Sequence, residues 1–165
     1  MTFPRLSALI AAAFAASLTA VSAQELPSRK NLPMAIANDI ALAAIAKCTA
    51  DGFRVSVVVA DSNGSPIVSL RGDGTGPHTA DSARRKAYTA ASMRSPTADL
   101  AKRIAENPGA AALATLPDIL PLAGGLPVKA GDEAIGGVGV GGAPGGDKDA
   151  ACAQAGIDSV AAKLK

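Results

Sequence analysis

The sequence predicts an α+β fold. Apolar residues recur at i, i+4 spacing near both ends of the chain, which marks helices. Between them lie apolar, β-branched runs separated by short Gly-containing turns, so consecutive strands pair antiparallel and the helices pack on their sheet. The order is helix, two strands, helices, about three strands, helix.

Residues 1–23 read as a leader, outside the domain. Arg5 supplies a positive start and Leu6 to Ala20 is an apolar stretch of 15 residues. Val21-Ser22-Ala23 places small residues at a signal-peptidase site, so cleavage is expected before Gln24. As a helix this stretch rises only about 22 Å, short of a hydrocarbon core of about 30 Å, and no stable membrane insertion is expected after cleavage. Removing 23 of 165 residues leaves 142, enough for a single domain over 24–165 with its own core. Export to the periplasm or medium follows, and with it an oxidising compartment.

Gln24 to Leu32 is a polar arm. Pro33 suits a first helical turn, and Ile36, Ile40, Ala44 and Cys48 share one face of a helix that ends before Gly52. Arg54 to Asp61 is apolar on both faces, as a central strand requires, and Asn63-Gly64 turns it into a partner strand, Pro66 to Arg71. Gly72 to Thr79 (GDGTGPHT) is a loop. Thr79 is a candidate N-cap for a helix over Ala80–Met93, whose small face (Ala80, Ala83, Ala87, Ala91) lets another element approach closely. Ser95-Pro96 opens a further helix ending near Asn107-Pro108-Gly109, and Ala110 to Leu116 reads as a short one. Leu120 to Leu122 and Leu126 to Val128 are expected as strands flanking Gly124-Gly125, followed by Glu133 to Val140. Asp147 or Asp149 then opens a last helix carrying Ala153, Ile157, Val160 and Leu164 on one face.

Composition excludes some functions. A net charge of +2 gathers no nucleic acid, and Phe53 and Tyr88, the two aromatics beyond the leader, build no stacking platform. The two cysteines, Cys48 and Cys152, lie on the first and last helices. Either they close a loop of about a hundred residues, worth about 4 kcal/mol in the chain-entropy model, or they remain two buried thiols. Gly137-Val138-Gly139-Val140-Gly141-Gly142 spells G-x-G-x-x-G, but only 23 residues follow, too few for the strand and acid of a dinucleotide fold. Those glycines could instead offer backbone N–H groups to an anion or admit a flat ligand at a sheet edge.

His78 is the single imidazole, either an iron ligand or a solvent-facing loop residue. With no second donor at ligand spacing, a metal at His78 would arrive inside a macrocycle. Arg84-Arg85-Lys86 either rims a site for ligand carboxylates or is a solvated face paired with Asp81 and Asp99. No nucleophile motif is present, and the turn-edge acids Asp61, Asp73 and Asp118 form no selected pair.

Several segments resemble the GlcG/HbpS-like family: Ser56 to Asp61 with Gly64, Arg71-Gly72-Asp73-Gly74, and Ala83 to Ala90 (ARRKAYTA). Gly124 to Val128, Ile135 to Val140, and Asp149 with Ala155-Gly156 continue the likeness in the family's order. The resemblance implies a profilin-like fold of five antiparallel strands flanked by helices, homo-oligomers, and in exported members a role in haem binding and in haem or iron sensing. A related domain accompanies corrinoids, so the tetrapyrrole expected is haem ahead of a corrinoid. On this reading His78 is the axial ligand, with Met34, Met93 and Tyr88 as weaker donors. Arg84 or Arg85 would hold the propionates, and Ala, Leu and Val side chains near Tyr88 the flat face. The alternatives are a small enzyme or accessory protein acting on an organic acid, with Asp61 or Asp73 moving a proton, and a purely structural oligomer.

Overall fold

The computed structural model describes residues 24–165; the leader expected over residues 1–23 lies outside the described residues. Helix α1 spans Met34–Ala50, strand β1 Ser56–Asp61, β2 Pro66–Arg71, α2 Thr79–Met93 and α3 Thr97–Glu106. A 3-10 segment, Pro108–Thr115, leads to β3 (Gly125–Ala130), β4 (Glu133–Gly141) and α4 (Gly146–Asp158). The sheet order is β2-β1-β4-β3, antiparallel throughout.

The sheet has four strands, where five were expected. Leu120–Leu122 is too short and too bound elsewhere to be a strand. Leu120 N donates to Thr89 Oγ1 at 2.8 Å, Leu122 O accepts from Thr97 Oγ1 at 2.7 Å, and Leu122 N turns back to Leu120 O. Pro121, in the middle of the segment, removes a donor a ladder would need. The predicted helix over Ala110–Leu116 is present as the tighter 3-10 form.

Two layers of helix enclose the sheet. Val57, Val59, Val138 and Val140 face α1 and α4, together with Ile40, Ala44, Cys48 and Cys152. Val58 and Ala60 face α2, against Ala83 and Ala87. Strand β1 is therefore buried on both faces, which is why its sequence does not alternate. Cys48 and Cys152 are joined in a disulfide across α1 and α4, with Cα atoms 5.5 Å apart. Beside it a β-carbon at Gly156 would fall 2.6 Å from the Ile40 carbonyl, so the two helices meet at glycine contact.

The glycines of β4 serve the same purpose on the other face. A β-carbon at Gly137 would come 2.8 Å from Ala91 N, and one at Gly139 would strike the Ala83 carbonyl. Strand β4, one of the two inner strands, thus lies directly beneath the Ala face of α2. Sequence reading had these glycines free to meet a ligand; packing buries them instead. Strand β4 is also no edge, since β1 and β3 pair with it on either side.

Candidate functional site

The 72–78 loop is pinned at both ends. Gly72 N donates to Val55 O, and Arg71 donates to Thr75 Oγ1 from Nε (3.0 Å) and to Thr75 O from Nη2 (2.9 Å). Thr79 Oγ1 donates to Gly76 O at 2.8 Å and meets Ser56 Oγ at 2.8 Å, which ties the start of α2 to β1. Thr79 thus locks the loop as the helix's first residue, and His78 occupies the cap position without a side-chain cap bond.

Glycines in this loop make room for two side chains. At Gly76 a β-carbon would lie 2.8 Å from His78 Cε1, and at Gly74 (φ 71°) 3.2 Å from Arg54 Nη1. The exposed His78 ring therefore folds back over Gly76 and the Arg54 guanidinium lies across Gly74. Both line an open groove of about 440 Å³, with Phe53, Thr75, Gly142 and Pro144 among its walls. A second groove of about 480 Å³, lined by Ile45, Leu70, Arg71 and Asp73, shares Phe53 and Arg54 with the first. Lys148 Nζ sits 5.2 Å from the centroid of the Phe53 ring.

The other candidates lie elsewhere. Arg84 Nη2 contacts Asp118 Oδ1 (2.8 Å) and Asp81 Oδ1 (2.9 Å), and the hydrogen bond to Asp118 most of all raises its pKa above the usual guanidinium value. Arg85 Nη2 donates to Ile119 O at 2.9 Å. Together with Thr89 they staple the 118–120 loop to α2. Arg85 is seven residues beyond His78, about 10 Å along the helix axis, and the His78 groove is lined by neither arginine nor by Tyr88. The Tyr88 ring packs over Gly64 in the β1–β2 turn, where a β-carbon would strike Tyr88 Cδ2. Met34 is 65% exposed on α1, and Met93 lines a separate small cavity with Asp99 and Arg103.

Lys86 leaves the expected cationic rim altogether. It is 1% exposed, and its Nζ donates to Asp149 Oδ2 (2.7 Å) and to Val140 O (2.9 Å). Asp149 Oδ1 accepts from Ala143 N at 3.0 Å. Desolvation raises the Asp149 pKa above the ordinary carboxylate value, while Lys86 and the backbone N–H groups of Ala143 and Gly142 oppose the rise. Asp61 Oδ1 accepts from Asn63 N and Ser65 N, so it builds the turn. Among the described residues, no cluster of three or more His, Cys, Asp or Glu side chains could hold a bare metal ion.

Sequence reasoning missed Phe53, Arg54 and Pro144. Arg54 carries no motif, and only its place between Gly52 and the apolar run hinted that it leaves the sheet at a loop edge.

A structure of HbpS is 46% identical to this chain over 88% of it and 99% of its own length, with a TM-score of 0.77. A double mutant of HbpS from Streptomyces reticuli is 42% identical, covering 94% and 97%, again with a TM-score of 0.77. A PduOC complex with haem is 23% identical over 79% of this chain and 95% of its own, and its TM-score of 0.72 shows a shared fold. No match is found among curated proteins. Residues 32–158 match the family described as "Haem degrading protein HbpS-like", and the chain belongs to the HbpS-like family.

Proposed function

We propose that this protein binds haem, with the His78 imidazole as the axial ligand to iron. The observation that carries the reading is the placement of the one imidazole on a groove, in a chain of the HbpS-like family. The neighbour solved as a PduOC–haem complex supports it. The residues present fit the group. The two grooves that meet at Phe53 lie within the roughly 300–1,000 Å³ of small-molecule sites. Phe53 and Pro144 offer apolar faces, Gly74 and Gly76 make room for the Arg54 and His78 side chains, and Arg54 adds a cation. Bound haem supplies the iron; the chain's own part is to ligate it through His78, seat the flat face against Phe53 and neutralise the carboxylates. Arg84 is held by Asp81 and Asp118 and Arg85 donates to Ile119 O, and neither lines the His78 groove.

Titration with hemin tests this. A saturable Soret shift is expected for the wild type, and His78→Ala should lose it or bind at least tenfold more weakly. An unshifted Soret band in the wild type, or an unchanged one in His78→Ala, overturns the assignment.

The proposal includes export and self-association. The leader pattern supports the first. For the second, Leu116 and Leu122, which follow the 3-10 segment, are 47% and 49% exposed. Intact mass and light scattering on protein from an exporting host check both. The expected result is a chain beginning at Gln24 in particles several times the protomer mass; a monomer, or a chain retaining its leader, counts against the respective part. Among the described residues, no helix is long and apolar enough to cross a membrane.

A further inference from the structure

Resting on the haem reading above, we infer that Arg54, assisted by Lys148, is the carboxylate clamp of this site. A haem carries two propionates on one edge, and cations on that side of the site can hold them through charge-assisted hydrogen bonds. Four arginines and two lysines lie within reach of this part of the sequence, and the structure sorts them. Lys86 is buried against Asp149, Arg84 and Arg85 are bound to the 118–120 loop, and Arg71 spends Nε and Nη2 on Thr75. Arg54 and Lys148 are exposed and make no ion pair among the described residues.

Their placement suits the task. Arg54 lines both grooves, and Lys148 stands over the Phe53 ring that the grooves share. A flat ligand ligated at His78 and lying against Phe53 therefore meets both cations at its rim. The guanidinium can take a carboxylate in bidentate fashion, which a lysine cannot. The nearest acid on the groove walls, Asp73, lines only the second groove, so the first keeps a cationic rim. The selectivity follows: this site prefers tetrapyrroles with free carboxylates over the same ring with those groups esterified.

Hemin and hemin dimethyl ester titrated into wild type, Arg54→Gln, Arg54→Lys, Lys148→Gln, Arg84→Gln, Arg85→Gln and His78→Ala test the assignment. Hemin should bind the wild type more tightly than the ester does. Arg54→Gln should weaken hemin roughly five- to tenfold without affecting the ester, in keeping with a charge-assisted hydrogen bond at a partly hydrated site. Lys148→Gln should give a smaller loss, and Arg54→Lys should recover part of the affinity. Equal binding of hemin and ester by the wild type overturns the clamp while leaving haem binding intact. Loss of both ligands equally in Arg54→Gln does the same, as does a hemin-specific loss in Arg84→Gln or Arg85→Gln instead. Absence of binding by both ligands overturns the haem reading itself and the clamp with it; hemin binding unaltered in His78→Ala overturns His78 as the iron ligand and with it the placement on which the clamp rests.

Discussion

Lys86 and Asp149 are the charged side chains that burial isolates most completely among the described residues, at 1% and 3% exposure. Such a pair contributes little net stability against an apolar replacement, but removing one partner strands the other. Lys86→Met should therefore destabilise the protein by about 3–5 kcal/mol in guanidinium denaturation, and Lys86→Met/Asp149→Leu should regain a large part of that. A single variant within about 1 kcal/mol of wild type would contradict this. The pH dependence has a defined sign. Because burial raises the Asp149 pKa above its unfolded value of 3.8, this carboxyl's contribution to stability is largest below that value. It declines as pH climbs through the raised value. The stability of Asp149→Asn relative to wild type should thus improve as pH rises above 3.8, and a flat or falling difference refutes it. At this scale the site was legible only in part. A lone His at the start of a helix could be found by reading, but the roles of Arg84, Arg85 and Lys86 could not. Successive helical residues point about 100° apart, and only the packed neighbours decide which one meets solvent.

Close contact between α2 and β4 is the element that organises both faces of the sheet. Gly137, Gly139 and Gly141 alternate with Val138 and Val140, so glycine turns to α2 and valine to α1 and α4. Gly139→Ala would push a methyl into the backbone of α2 at Ala83, where no rotamer can relieve it. A loss of about 3 kcal/mol or more is expected in thermal denaturation. Gly131→Ala, with open space around it and φ of 63°, should cost only the left-handed backbone, about 1–2 kcal/mol. Equal stability of the two variants would remove the packing explanation. The small face of α2 was visible in the spacing of Ala83, Ala87 and Ala91. Its partner was also visible, as a period-two glycine stripe of matching length, yet a motif spelling drew attention to ligand binding instead. The Leu120–Leu122 segment misled for a similar reason, since a three-residue apolar run does not reveal where its backbone bonds go.

For the molecule as a whole, the Cys48–Cys152 bridge ties the helical layer across a separation of 104 residues. Closing a loop of that size restricts the unfolded chain by about 4.7 kcal/mol in the entropy model. The double variant Cys48→Ser/Cys152→Ser should lose about 2–5 kcal/mol and become sensitive to mild heating, while hemin binding by the surviving folded fraction persists. The bridge lies in the α1–α4 layer and none of its atoms lines the His78 groove. A variant as stable as wild type under oxidising conditions would count against a stabilising role for the bridge.

Local patterns by themselves determined the helix–strand order, the Asn63-Gly64 hairpin, the small face of α2 and the family likeness, because each depends on neighbours a few residues apart. Tertiary structure alone decided the strand count, that Cys48 and Cys152 are bonded and not two buried thiols, the burial of Lys86 and the exposure of Arg54 beside His78. Those outcomes depend on which distant backbone groups and charges share a contact, and such contacts exist only once the chain has closed on itself.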